Sequence, residues 1–168
     1  SSYGNWTPLR IAVHEGSLDV LHLLLASGKV DLENRNGNGE TALYTAVRVK
    51  QVAVLQALLN AGADVNCVTP RFHGYTPLHY AVLGHAPDVL GAILNHNGVM
   101  VNKAGTNGLT PLHLAYAVGN TEAVNALLKH PDIDVTLKDF LLSRTPQMWS
   151  GLVQRVLQGE HVARAAPV

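Results

Sequence analysis

The chain has little of what most functional sites are made from. Among 168 residues there is one cysteine, Cys67, which excludes an internal disulfide and any Cys-rich zinc site. Charged residues are only 14%, and twelve Lys+Arg against twelve Asp+Glu leave no net charge. A binder of nucleic acid that works through a basic face is therefore not expected. No apolar run approaches the roughly 20 residues of a membrane span. The opening Ser1-Ser2-Tyr3-Gly4-Asn5 lacks the basic and apolar regions of a signal peptide. The expectation is a soluble chain of a reducing compartment, cytoplasmic and able to be nuclear, with no direct contact to nucleic acid or membrane.

Catalytic patterns are missing as well. There is no G-x-G-x-x-G, P-loop lysine, G-x-S-x-G or H-E-x-x-H. Nine histidines are present, but His14, His22, His85, His96 and His130 are scattered, and a zinc site needs about four converging ligands. Cys67 has no neighbouring pattern that would lower its pKa, so it reads as a packed or exposed connector thiol. Asn36-Gly37-Asn38-Gly39 is turn chemistry. No enzyme activity, cofactor or metal is expected.

What the chain does have is hydrophobic content, 47%, arranged with a period. Trp6-Thr7-Pro8-Leu9-Arg10-Ile11-Ala12 returns as Glu40-Thr41-Ala42-Leu43-Tyr44-Thr45-Ala46. It returns again as Tyr75-Thr76-Pro77-Leu78-His79-Tyr80-Ala81 and as Leu109-Thr110-Pro111-Leu112-His113-Leu114-Ala115. A degraded copy stands at Arg144-Thr145-Pro146-Gln147-Met148. Successive threonines lie 34, 35, 34 and 35 residues apart, a solenoid period. Counted from each Thr, positions +13, +14, +17 and +18 read Val20-Leu21-Leu24-Leu25 and Val54-Leu55-Leu58-Leu59. The next two sets are Val89-Leu90-Ile93-Leu94 and Ala123-Val124-Leu127-Leu128. This spacing puts the four on one helical face. Thr suits the N-cap of the leading helix and Pro its first position. Gly28, Gly62 and Gly98 stand where the trailing helix needs a left-handed exit. Ala12, Ala46, Ala81 and Ala115 are small where two helices approach.

This pattern resembles the ankyrin repeat, whose signature is T-P-L-H-x-A on a period near 33. Thr76–Ala81 and Thr110–Ala115 match every fixed position, and Gly62-Ala63-Asp64-Val65-Asn66 is similar to the family's helix exit. The resemblance implies an all-α solenoid of helix–turn–helix units with β-hairpin-like fingers. One domain over 6–158 is expected, with units at 6–39, 40–74, 75–108 and 109–143 and a partial fifth at 144–158. Residues 1–5 and 159–168 are expected to be flexible ends. The period exceeds 33 because connections are longer, most of all in the finger Cys67–Gly74. His79 and His113 fall on the signature histidine, which in this family ties adjacent units by hydrogen bonds.

The resemblance also implies how such a chain works: a non-catalytic module that binds another protein through its concave groove and fingers. The contact positions are −1, +7 and +8 from each Thr. Column −1 holds Trp6, Glu40, Tyr75, Leu109 and Arg144. Column +7 holds His14, Arg48, Leu83 and Ala117, and column +8 holds Glu15, Val49, Gly84 and Val118. Tyr75 is expected to be the anchor and Arg48 the positive end of the groove. Phe72 on the long finger and Phe140-Leu141-Leu142 on the last add apolar surface. The partner is expected to be a helix or extended peptide, bound by a monomer. Two roles stay open: an inhibitor of the IκB kind, or an adaptor. The alternative is the regulatory fragment of a larger enzyme or channel. Asn66, with Leu58 eight residues ahead, resembles ankyrin asparagines that an oxygen-sensing dioxygenase hydroxylates; Asn102 is a poorer match.

Overall fold

The computed structural model describes residues 6–70 and 73–138, and these form four stacked helix pairs. They are α1 Pro8–Glu15 with α2 Leu18–Ala26, α3 Ala42–Arg48 with α4 Val52–Asn60, α5 Pro77–Leu83 with α6 Pro87–Leu94, and α7 Pro111–Ala117 with α8 Thr121–Leu128. Each leading helix packs on its own trailing helix and on the leading helices beside it, and the trailing helices form a second layer. Among the described residues the fingers are turns and no strand is formed. The fifth unit and the tail lie outside the described residues.

Every leading helix starts in the same way. Thr7, Thr41, Thr76 and Thr110 are extended N-caps, and Pro8, Pro77 and Pro111 follow at the first helical position. The hydroxyls of Thr7 and Thr41 accept the amide N–H of Arg10 and Tyr44 at 3.3 Å. The turn into the trailing helix also repeats. Gly16, Lys50, His85 and Gly119 all take left-handed φ, between 47° and 70°. The next N–H in each case returns to the carbonyl of the signature alanine: Ser17 to Ala12, Gln51 to Ala46, Ala86 to Ala81 and Asn120 to Ala115, at 2.9 to 3.2 Å. Those alanines are buried, so the helices meet with no room for a larger side chain.

The apolar stripe forms the core between the two layers. Leu21, Leu55, Leu58, Ile93 and Leu127 are fully buried. Gly28, Gly62 and Gly98 have φ of 62°, 94° and 84°, the left-handed exits that the sequence requires. Beyond them a side-chain ladder links the connectors. Glu33 Oε1 accepts the N–H of Asp64 (2.9 Å), Asn66 Oδ1 that of Met100 (2.8 Å) and Asn102 Oδ1 that of Asp134 (2.9 Å).

Candidate binding face

The +7 and +8 columns lie at the ends of the leading helices. His14, Arg48, Leu83 and Val118 are exposed there, Val49 and Ala117 half-buried. The surface is charged at one end and apolar at the other. Trp6 is exposed and meets the His14 ring edge-on, centroids 5.3 Å apart, while His14 Nδ1 lies 3.2 Å from the Glu15 carboxylate. Arg48 Nε stands 3.8 Å from Glu40 Oε1, so part of its charge is already answered within the chain.

Column −1 is different from what the register implies, and two residues have to be reassigned. Tyr75 is 7% exposed. Its ring stacks on His79 with centroids 4.7 Å apart and planes within 3°, and its hydroxyl accepts from Asn107 Nδ2 at 2.8 Å. Gly105 seals the ring from the next finger; a Cβ there would come within 2.7 Å of it. Glu40, 5% exposed, accepts from Asn36 Nδ2 at 2.8 Å and faces Arg48. Both side chains lie at the joint between units rather than stand free in the groove: the next finger folds over Tyr75, while Asn36 of its own finger and Arg48 turn toward Glu40. Leu109 is half-buried, while Phe72, Phe140-Leu141-Leu142 and Arg144 lie outside the described residues.

The joints themselves are built around the +3 column. Thr76 N–H donates to His79 Nδ1 at 3.1 Å, and the Thr76 hydroxyl lies 2.8 Å from the same nitrogen. An Nδ1 that accepts leaves the proton on Nε2, which donates to the carbonyl of Leu109 at 3.1 Å. This is a capping box in which histidine takes the place of glutamate. Burial drives the His79 pKa down to about 4, against the smaller opposing effect of the Leu109 bond. His113 Nδ1 accepts from Thr110 N–H in the same geometry, at 3.2 Å.

Sequence reading missed the counterpart in the first unit. Arg10, also at +3, is buried, and its Nη2 donates to the carbonyls of Asn34 (2.6 Å) and Glu40. It reaches the carbonyl just before the next N-cap threonine, the place that His79 reaches at Leu109. Reading Arg10, Tyr44, His79 and His113 as one column would have found it. Burial lowers the guanidinium pKa while the Glu40 charge opposes that shift.

The remaining candidates are each held by their surroundings. Cys67 is buried against the Thr41 hydroxyl (3.3 Å), and burial pushes its thiol up to about 11. Asn66 is held at both ends of its amide, donating to the Gly98 carbonyl (2.8 Å) and accepting from Met100 N–H (2.8 Å). Among the described residues no three His, Cys, Asp or Glu side chains come together as metal ligands, and no helix is long and apolar enough to cross a membrane.

A family model for ankyrin repeats in three copies matches residues 2–69 and 56–139. The chain belongs to the ankyrin-repeat family. It is similar to the human transient receptor potential cation channel subfamily A member 1, 32% identical over 122 residues, which are 72% of this chain and 11% of the channel. It is similar to the mouse nuclear factor NF-κB p105 subunit, 34% identical over 140 residues, 82% of this chain and 14% of that protein. It therefore spans a small part of either relative. In the crystal structure of the ankyrin-repeat domain of Bcl-3, a member of the IκB protein family, the match has a TM-score of 0.80 at 29% identity. It covers 96% of this chain and 74% of that one.

Proposed function

We propose that the chain is a non-catalytic module that holds a segment of another protein, a helix or an extended peptide, against Trp6, His14, Arg48, Val49, Leu83 and Val118. The supporting observation is the exposure of large apolar side chains, Leu83 and Val118 at the ends of α5 and α7 and Trp6 just ahead of α1. A ligand suited to this surface is apolar toward Leu83 and Val118 and acidic opposite Arg48. Because Glu40 already faces Arg48, charge orients the ligand more than it tightens binding. The module works as a monomer in the cytoplasm or nucleus, with no direct contact to nucleic acid, as an inhibitor or an adaptor.

Affinity capture with the wild type and with Leu83→Glu plus Val118→Glu tests this. Both positions are exposed, so the variant is expected to keep its helical circular dichroism and lose the partner. A folded variant that keeps every partner at unchanged affinity sinks the assignment. The likeness to a channel subunit favours a second reading, a regulatory section of a larger protein. Under that reading, capture returns the rest of the same assembly. Hydroxylation of Asn66 is a separate proposal. With its amide clamped on Gly98 and Met100, the residue is expected to gain oxygen faster in a peptide than in the folded chain. Mass spectrometry after treatment with the dioxygenase reads this, and no gain in either form ends the idea.

A further inference from the structure

The outer side of the first unit is apolar and open. Ile11 and Val20 are each 49% exposed and Leu23 74%. Pro8 is exposed and Leu24 half-buried, with a concavity of about 350 Å³ between Pro8, Leu9, Leu24 and Val30. The Val20, Leu24 and Pro8 columns are covered in every later unit, while the counterparts of Leu23 (Ala57, Ala92 and Ala126) stay half-buried. Val20 corresponds to Val54, Val89 and Ala123, all at most 2% exposed, and Leu24 to Leu58, Ile93 and Leu127, all fully buried. Pro8 corresponds to Ala42, Pro77 and Pro111, buried as well. In each of those cases the cover is the helix pair that stands before it, α1 on α3 and α2 on α4, and so along the stack. A unit that ends a solenoid carries a polar outer face. This one does not.

We infer that the outer face of α1 and α2 is an interface, and that its occupant is a further helix–turn–helix unit of the same polypeptide, stacked in the same register ahead of Thr7. This face continues the stacking interface that joins the later units. It is independent of the groove and of any partner bound there. The register also states what the occupant must offer. Its leading helix carries small apolar residues where this unit has Ala12 and Val13, and its trailing helix carries a leucine where this one has Leu21. A His or Arg at its +3 position reaches the Trp6 carbonyl, as Arg10 reaches that of Glu40 and His79 that of Leu109. An Asn or Glu beyond its trailing helix reaches the Asp31 amide, the ladder position that Asp64, Met100 and Asp134 fill in later units. A second copy of this chain meeting the face with its own cannot supply these links, since two identical faces are related by a two-fold axis and not by the step of the stack.

Hydroxyl-radical footprinting tests the inference, with residues 1–168 alone compared with the polypeptide purified from its source cells. Met100, exposed on a connector far from this face, serves as the internal reference. The expected result is strong oxidation of Ile11 and Val20 in residues 1–168 and its loss in the cellular polypeptide. Peptide sequencing is then expected to find a Thr-initiated unit about 33 residues ahead of Thr7. Equal oxidation in the two samples overturns the inference, as does protection without such a unit. Protection of residues 1–168 that disappears on dilution overturns it too, and assigns the face to a second copy.

Discussion

Val20 and Val54 stand at the same position of consecutive units, in helices of the same length, yet one is 49% exposed and the other 2%. Nothing in either helix accounts for that. The difference is the neighbour: within the layer of trailing helices α4 has α2 on one side and α6 on the other, while α2 has only α4 among the described residues. In a solenoid, burial belongs to the joint and not to the unit, and stability is distributed accordingly. The largest test of this comparison is a pair of truncations. Leu58→Ala empties a fully buried site and is expected to cost about 2–5 kcal/mol. Leu24→Ala, the same change at the half-buried counterpart, is expected to cost less than half of that. Denaturant melts of the two variants decide it, and equal costs would mean that the first unit is already covered.

The joints differ in chemistry as well as in number. The first is tied by Arg10, which stays charged across the acidic range, and the third by a neutral His79. In the unfolded chain His79 takes a proton below its ordinary value of 6.5, but in the folded chain only below about 4. Between those values the unfolded state binds more protons, so stability falls as pH drops through the window. The slope is about 1.4 kcal/mol per pH unit, for a total on the order of 3 kcal/mol, and it levels off below pH 4. The loss is expected to appear first as faster amide exchange in α5 and α7, with α1 and α3 lagging. His79→Gln, which cannot titrate, is expected to flatten this part of the profile. A profile unchanged by that substitution would place the acid sensitivity elsewhere.

Much of this was legible in the sequence, because it is local. The N-cap threonines, the helix-first prolines, the left-handed glycines and the apolar stripe each depend on residues within one turn or one unit. What the sequence could not convey is how a finger folds back over its neighbour. Tyr75 sits at a position that faces ligands in many repeats of this kind. Here Asn107 on the next finger takes its hydroxyl and Gly105 lets that finger close over the ring. Glu40 is covered for a related reason: Asn36 and Arg48 both turn toward it. Arg10 was missed because it does not look like the histidine it replaces, although each ends on the carbonyl just before the next N-cap threonine. The exposed part of the candidate face, Leu83, Val118 and Arg48, was legible, since the ends of the leading helices follow from the period alone.

The smallest predicted effect concerns the turn between the paired helices, where the four units share one backbone shape but not one residue. Gly16 and Gly119 reach left-handed φ freely, while Lys50 and His85 reach 58° and 47° with a side chain attached. A left-handed residue other than glycine costs roughly 1–2 kcal/mol, and glycine returns about 0.5–1 kcal/mol of that as entropy lost on folding. Lys50→Gly and His85→Gly are therefore each expected to stabilise the chain by about 0.5 kcal/mol, a small rise in Tm. The reverse changes separate backbone from packing. A methyl at position 119 meets nothing within 4 Å, so Gly119→Ala reports the φ cost alone. At position 16 it would lie 2.8 Å from the Gln51 side-chain amide, which donates to the His14 carbonyl at 3.4 Å. Gly16→Ala is thus expected to cost more than Gly119→Ala by the value of that displaced link, about 0.5–1 kcal/mol. Repeating the comparison with Gln51→Ala in the background should close the gap. If the gap persists, the first turn is strained by something other than the contact between units.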